Sequence, residues 1–90
     1  MTTAAEARPR LRRGVRLSFD RVRGEHVLLY PEGMLFPNQT AVAVLSRCDG
    51  ATTLAEIVTD LGHEYQGVRL EQVADLLARL VERWLVEVEH

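Results

Sequence analysis

The chain has 90 residues, 47% of them hydrophobic, with eleven basic and thirteen acidic side chains for a net charge of −2. A domain of this size buries only about 60% of its unfolded surface, so it builds one thin core and has no room for a second domain. No apolar run approaches the roughly 20 residues of a membrane span, no apolar signal segment opens the chain, and the single cysteine, Cys48, excludes an internal disulfide, so a soluble cytoplasmic protein is expected.

Charge is unevenly placed. Residues 1–23 hold seven Arg and two acids (+5), whereas residues 24–90 hold four Arg and eleven acids (−7), and no Lys occurs. Residues 1–13, rich in Ala, Thr and Arg without apolar periodicity, read as a flexible Arg-rich tail with an ordered stretch allowed near Arg8-Pro9-Arg10-Leu11. The domain proper is expected over residues 14–90.

Val15, Leu17 and Phe19 alternate with Arg16 and Ser18, which predicts a strand covering a core on one side. A polar connection with Gly24 leads to a second strand over residues 27–30. Tyr30-Pro31-Glu32-Gly33 has Pro at the second turn position, where its fixed φ fits, and Gly at the fourth. Met34-Leu35-Phe36 then forms a short third strand, because Pro37 has no N–H to extend a ladder.

The second half is helical. Asn38 is an N-cap, and Ala41, Val44, Leu45 and Cys48 recur at i, i+3, i+4, i+7, with Cys48 a small buried hydrophobe. Asp49-Gly50 ends that segment. Thr53-Leu54-Ala55-Glu56 matches a capping box, and Leu54, Ile57, Val58, Leu61 and Tyr65 mark one stripe of the second helix, with Gly62 weakening its last turn. Leu70, Val73, Leu76, Leu77, Leu80, Val81 and Trp84 form a third helix with a wider stripe than one core contact needs. Val86-Glu87-Val88-Glu89 alternates as a short extra strand. The expected class is α+β, winged-helix-like: a three-stranded antiparallel sheet followed by a three-helix bundle.

Catalytic patterns are missing from the sequence. His26, His63 and His90 form no paired ligand motif, no nucleophile elbow or phosphate-cradling glycine loop occurs, and the row Glu56, Asp60, Glu64 reads as a solvated helix face. The expectation is a binding protein without metal or cofactor.

Arg13-Gly14-Val15-Arg16-Leu17, then His26-Val27-Leu28-Leu29-Tyr30-Pro31-Glu32-Gly33-Met34, Asn38-Gln39-Thr40-Ala41 and Asp49-Gly50 resemble the PqqD family, pyrroloquinoline quinone (PQQ) biosynthesis protein D, in order and spacing over roughly residues 8–90. Pro37 departs from that pattern, standing where the family carries Leu. So does the stretch from Gln72-Val73 to Arg83-Trp84, one residue shorter. The resemblance implies a non-catalytic recognition element of winged-helix-like fold. Such a protein binds the precursor peptide PqqA as a strand added beside the third strand and against the third helix. It presents that peptide to PqqE, the radical S-adenosylmethionine enzyme that joins its Glu and Tyr side chains.

Two structural roles follow for named residues. Tyr30, Gly33, Met34, Leu35 and Phe36 would supply the edge, and Val73, Leu76 and Leu77 the apolar wall, since main-chain bonds give affinity and side-chain pockets give selectivity. The same edge permits a homodimer. The alternative is a winged-helix nucleic-acid-binding protein. Against it, the third helix carries Glu71, Asp75 and Glu82 against Arg79 and Arg83, and the globular part is acidic, whereas phosphate binding needs a basic surface.

Overall fold

The computed structural model describes residues 5–89. Its elements are β1 (Arg8–Leu11), β2 (Arg16–Asp20), β3 (Glu25–Tyr30), β4 (Gly33–Leu35), α1 (Gln39–Leu45), α2 (Leu54–Leu61), α3 (Leu70–Glu82) and β5 (Val86–Glu89). The α+β class is as expected: β2, β3 and β4 form an antiparallel sheet in that order, and three helices follow. A second, two-stranded antiparallel sheet joins β1 to β5.

Local chemistry sets the main sheet. Asp20 turns the chain between β2 and β3 by accepting the N–H groups of Val22 and Arg23 on Oδ1, at 3.0 and 3.2 Å. Gly24, at φ 71, closes the loop with its N–H on the Asp20 carbonyl. Register pairs Leu17 with Leu28 and Leu28 with Leu35, so these three share the face that meets the helices. Phe19 also shares that face but lies past the end of the core. It is exposed and meets His26 edge-on at 5.0 Å, which corrects its expected burial.

The helices close over Leu28. Leu45, Leu54, Ile57, Leu61 and Leu77 are fully buried with it, in one cluster that also holds Val44, Val73 and Val86. Asn38 Oδ1 caps α1 by accepting the Ala41 N–H at 2.8 Å. Thr53 and Glu56 form the capping box of α2: Thr53 Oγ1 accepts the Glu56 N–H at 3.1 Å and Glu56 Oε1 accepts the Thr53 N–H at 2.8 Å. Both caps were expected. Gly62 is the C-cap of α2 rather than part of its last turn, and α1 ends at Leu45, leaving Cys48 buried but outside the helix.

Residues 5–13 depart from the expected tail. Arg8, Pro9, Arg10 and Leu11 pair with Glu89, Val88, Glu87 and Val86. Pro9 sits where it can, since β1 is an edge strand whose other neighbour is irregular, and its carbonyl accepts the Gly50 N–H at 2.9 Å. Gly50 suits this crossing because its φ of 79 is a left-handed conformation that L side chains rarely adopt, and a Cβ there would also press on Arg10 Cδ at 3.3 Å. The Ala7 and Ala5 carbonyls accept the N–H groups of Leu54 and Ala55, at 2.8 and 2.9 Å. A helix leaves its first N–H groups without internal partners, and here the N-terminal segment supplies two of them. Residues 5–13 are therefore part of the folded domain; residues 1–4 of the expected tail lie outside the described part.

Candidate functional site

The β3–β4 hairpin turns through Pro31 and Glu32, with Tyr30 opposite Gly33, Leu29 opposite Met34 and Leu28 opposite Leu35. A two-residue loop makes Tyr30 and Gly33 a hydrogen-bonded pair, and antiparallel pairs alternate. The Leu28–Leu35 pair is then bonded as well, and the N–H and C=O of Met34 point away from β3. Among the described residues no strand lies on that side of β4. The sheet therefore ends in one unpaired donor and acceptor on Met34, followed by the irregular backbone of Phe36. Phe36 itself lies outside the strand, one residue short of the expected span.

Side chains alternate about this edge. Leu35 and Tyr30 turn inward and pack on the central cluster. Met34 and Phe36 lie on the opposite face, 58% and 37% exposed, with Val27 and Leu29 beside them by register. The Arg23 guanidinium lies 4.7 Å from the Phe36 ring centroid, covering that end of the apolar face. At Gly33 a Cβ would sit 3.8 Å from Tyr30 Oη, ordinary contact, so a side chain is not barred there by space.

The expected wall residues separate. Leu77 is fully buried and belongs to the core, so it is unavailable to a surface ligand, which corrects its placement in the wall. Val73 and Leu76 line a cavity of about 230 Å³. Its other walls are Thr40, Ala43 and Val44 of α1, Leu61, and the 65–68 connection. Thr40, Ala43, Tyr65 and Val68 were missed in the sequence. Thr40 and Ala43 are small residues one turn apart on α1, which is the spacing that opens a gap between helices.

Charges near α1 and α2 are satisfied. Arg47 Nε donates to Asp60 Oδ2 at 2.5 Å, Nη1 to the Ala43 carbonyl at 2.7 Å and Nη2 to Glu64 Oε2 at 3.2 Å. That hydrogen bond holds the Asp60 carboxyl below its usual range and raises Arg47. Burial pushes the Cys48 thiol up to about 12, where it carries no thiolate at neutral pH. Among the described residues no group of three His, Cys, Asp or Glu side chains is placed to hold a metal ion, and no helix is long and apolar enough to cross a membrane.

An open strand edge with apolar side chains on both of its faces can take up an extended segment. Comparison with known proteins bears on which. The family model described as coenzyme PQQ synthesis protein D (PqqD) matches residues 25–86, from the start of β3 to the start of β5. The chain belongs to the PqqD family. A PqqA binding protein of Stutzerimonas stutzeri (strain A1501) is 41% identical over 83 residues, covering 89% of each chain. The bifunctional coenzyme PQQ synthesis protein C/D of Methylorubrum extorquens is 47% identical over 72 residues, 80% of this chain and 19% of that longer protein. The solution NMR structure of the PqqD truncation of Methylobacterium extorquens PqqCD is described as a functional, stand-alone recognition element for ribosomally synthesised and post-translationally modified peptides. It superposes with a TM-score of 0.68 at 43% identity, over 88% of this chain and 87% of that one. The PqqD fold thus accounts for the sheet and the three helices.

Proposed function

We propose that this protein is a non-catalytic cytoplasmic peptide chaperone of PQQ biosynthesis, which binds the precursor peptide PqqA as a strand added to β4 and presents it to the radical S-adenosylmethionine enzyme PqqE. The observation that carries this reading is the outward-facing N–H and C=O of Met34 at the end of the sheet. Family membership and the relatives named PqqA binding proteins support it.

Magnitudes decide how the peptide is held. The two bonds to Met34 contribute about 1–3 kcal/mol together, whereas a micromolar complex needs about 8 kcal/mol. Side-chain burial must supply the remainder. The peptide residue opposite Met34 would share the outer face with Met34 and Leu29. Its two neighbours would turn to the inner face, that of Leu35, and Leu76, half-buried on α3, is the residue of the expected wall left accessible to them. Nucleic-acid binding has less support, since within α3 the exposed Glu71, Asp75 and Glu82 face a single Arg79, and Arg69 and Arg83 at the two caps only bring the helix to neutrality.

Titrating PqqA into ¹⁵N-labelled protein tests the reading. Amide shifts should centre on Gly33, Met34, Leu35 and Phe36 and extend to Leu76. Shifts confined to the β1–β5 ribbon would contradict it, and concentration-dependent shifts at Met34 without peptide would indicate a homodimer through the same edge.

A further inference from the structure

The C-terminal end of α3 carries a feature that peptide capture on β4 does not use. The Trp84 N–H donates to the Val81 carbonyl and the Leu85 N–H to the Leu80 carbonyl, both at 3.0 Å, the paired bonds that end a helix through a left-handed residue. Glycine is the usual residue there. Here it is Trp84, at φ 62, the only non-glycine with positive φ among the described residues. Burial does not offset that strain, because the side chain is 71% exposed.

The indole is nevertheless held in place. The Arg12 guanidinium lies 4.9 Å from its centroid. Arg12 is fixed in turn by its own N–H on the Leu85 carbonyl at 3.0 Å and by Glu87 Oε2 at 3.5 Å from Nη1. Val81, one turn before Trp84, is also exposed. Arg13 and Arg83, the chain neighbours of the stacked pair, are exposed and make no ion pair among the described residues. Strained, exposed residues persist where function holds them, and Trp and Arg dominate the energetics of protein interfaces.

We propose that Trp84 and Arg12, rimmed by Arg13 and Arg83, form a docking surface for a second protein whose contact face places acidic residues around an apolar socket. Charge complementarity selects that chemistry: Arg12, Arg13 and Arg83 stand against Glu82 and Glu87, so the patch keeps a net positive charge on a chain whose residues 24–90 are net acidic. The inference rests on the presenting role proposed above, which makes the partner the peptide-modifying enzyme and leaves β4 free for peptide.

Cognate PqqE is the probe. Trp84→Gly suits φ 62, so its Tm should equal or exceed that of the wild type and its PqqA affinity should be unchanged, while its PqqE affinity falls at least about tenfold. Arg13→Glu/Arg83→Glu should weaken PqqE binding similarly, and wild-type affinity should fall with added NaCl. Trp84 is the chain's one tryptophan, so 5-fluorotryptophan labelling gives a single ¹⁹F resonance. It should shift with PqqE and stay put with PqqA alone or a single-stranded oligonucleotide. Unchanged PqqE binding by Trp84→Gly would overturn this surface while leaving the presenting role. Parallel loss of PqqA binding would assign the patch to the peptide site, and a shift with oligonucleotide but not PqqE to nucleic acid, each overturning the proposal. A wild type that binds PqqA but not PqqE would overturn the surface and the presenting role together.

Discussion

Arg10 Nε donates to Glu87 Oε1 at 2.7 Å, joining side chains 77 positions apart and fastening β1 to β5. The ion pair and the strand it fastens have different weights. Arg10 is half exposed, so Glu87→Gln should cost less than about 1 kcal/mol. Deleting residues 1–12 removes buried Ala7 and Pro9 and the carbonyls that accept the N–H groups of Gly50, Leu54 and Ala55. At about 1 kcal/mol each, those three bonds alone put the cost at about 3 kcal/mol, and loss of the β1–β5 ladder and of the Arg12 N–H bond to the Leu85 carbonyl adds to it, so Tm should fall by more than about 10 °C. Thermal melts of the two variants check this, and equal Tm values for the deletion and the full chain would refute it.

Acid should destabilise the helical half. Asp49 is held below its usual range chiefly by the N–H groups of Ala51 and Thr52, Glu56 by the N–H of Thr53, and Asp60 by the hydrogen bond from Arg47. Each carboxylate binds its proton more tightly in the unfolded chain than in the folded one. Its contribution is therefore complete above the unfolded value, about pH 4, and is lost as pH falls through the lower folded value. Tm should be flat from about pH 6 to 5 and fall steadily below about 4.5. Glu56→Gln should reduce that slope, and Thr53→Ala should cost about 1 kcal/mol at neutral pH. A Tm that holds or rises down to pH 3 would contradict the assignment.

Cys48 should behave as a hydrophobe. With its thiol pushed up to about 12, only about one molecule in 10⁴ carries a thiolate at pH 8. Native protein should react with a thiol reagent far more slowly than protein in denaturant, where Cys48 regains an ordinary thiol. Equal rates in both would show that the site is open.

The local features were legible because neighbouring residues decide them. Pro31 in the hairpin turn, Asn38 and Thr53–Glu56 at helix starts, and the alternation of residues 86–89 all needed only a few positions of context. The β1–β5 ribbon did not, since Arg8, Arg10 and Arg12 alternate as a strand would, yet their partners Glu87 and Glu89 lie at the far end of the chain. Trp84 fits the apolar period of α3 but falls one residue past the cap, a change of backbone conformation that periodicity does not register. The candidate site divides the same way. Met34 follows from the hairpin register, whereas the burial of Leu77 and the cavity beside Leu76 depend on how α1 lies against α3.

Strand addition at β4 depends on one backbone N–H, that of Met34. Met34→Pro deletes it while sparing the β3–β4 ladder, because that group points away from β3, and proline is tolerated on an edge whose N–H faces out. Met34→Ala removes the side chain and keeps the N–H. Isothermal titration of PqqA against both variants should find Met34→Pro at least about fivefold weaker than Met34→Ala, with Tm values within a few degrees of each other. Equal affinity of the two variants for PqqA would show that the peptide does not pair with β4.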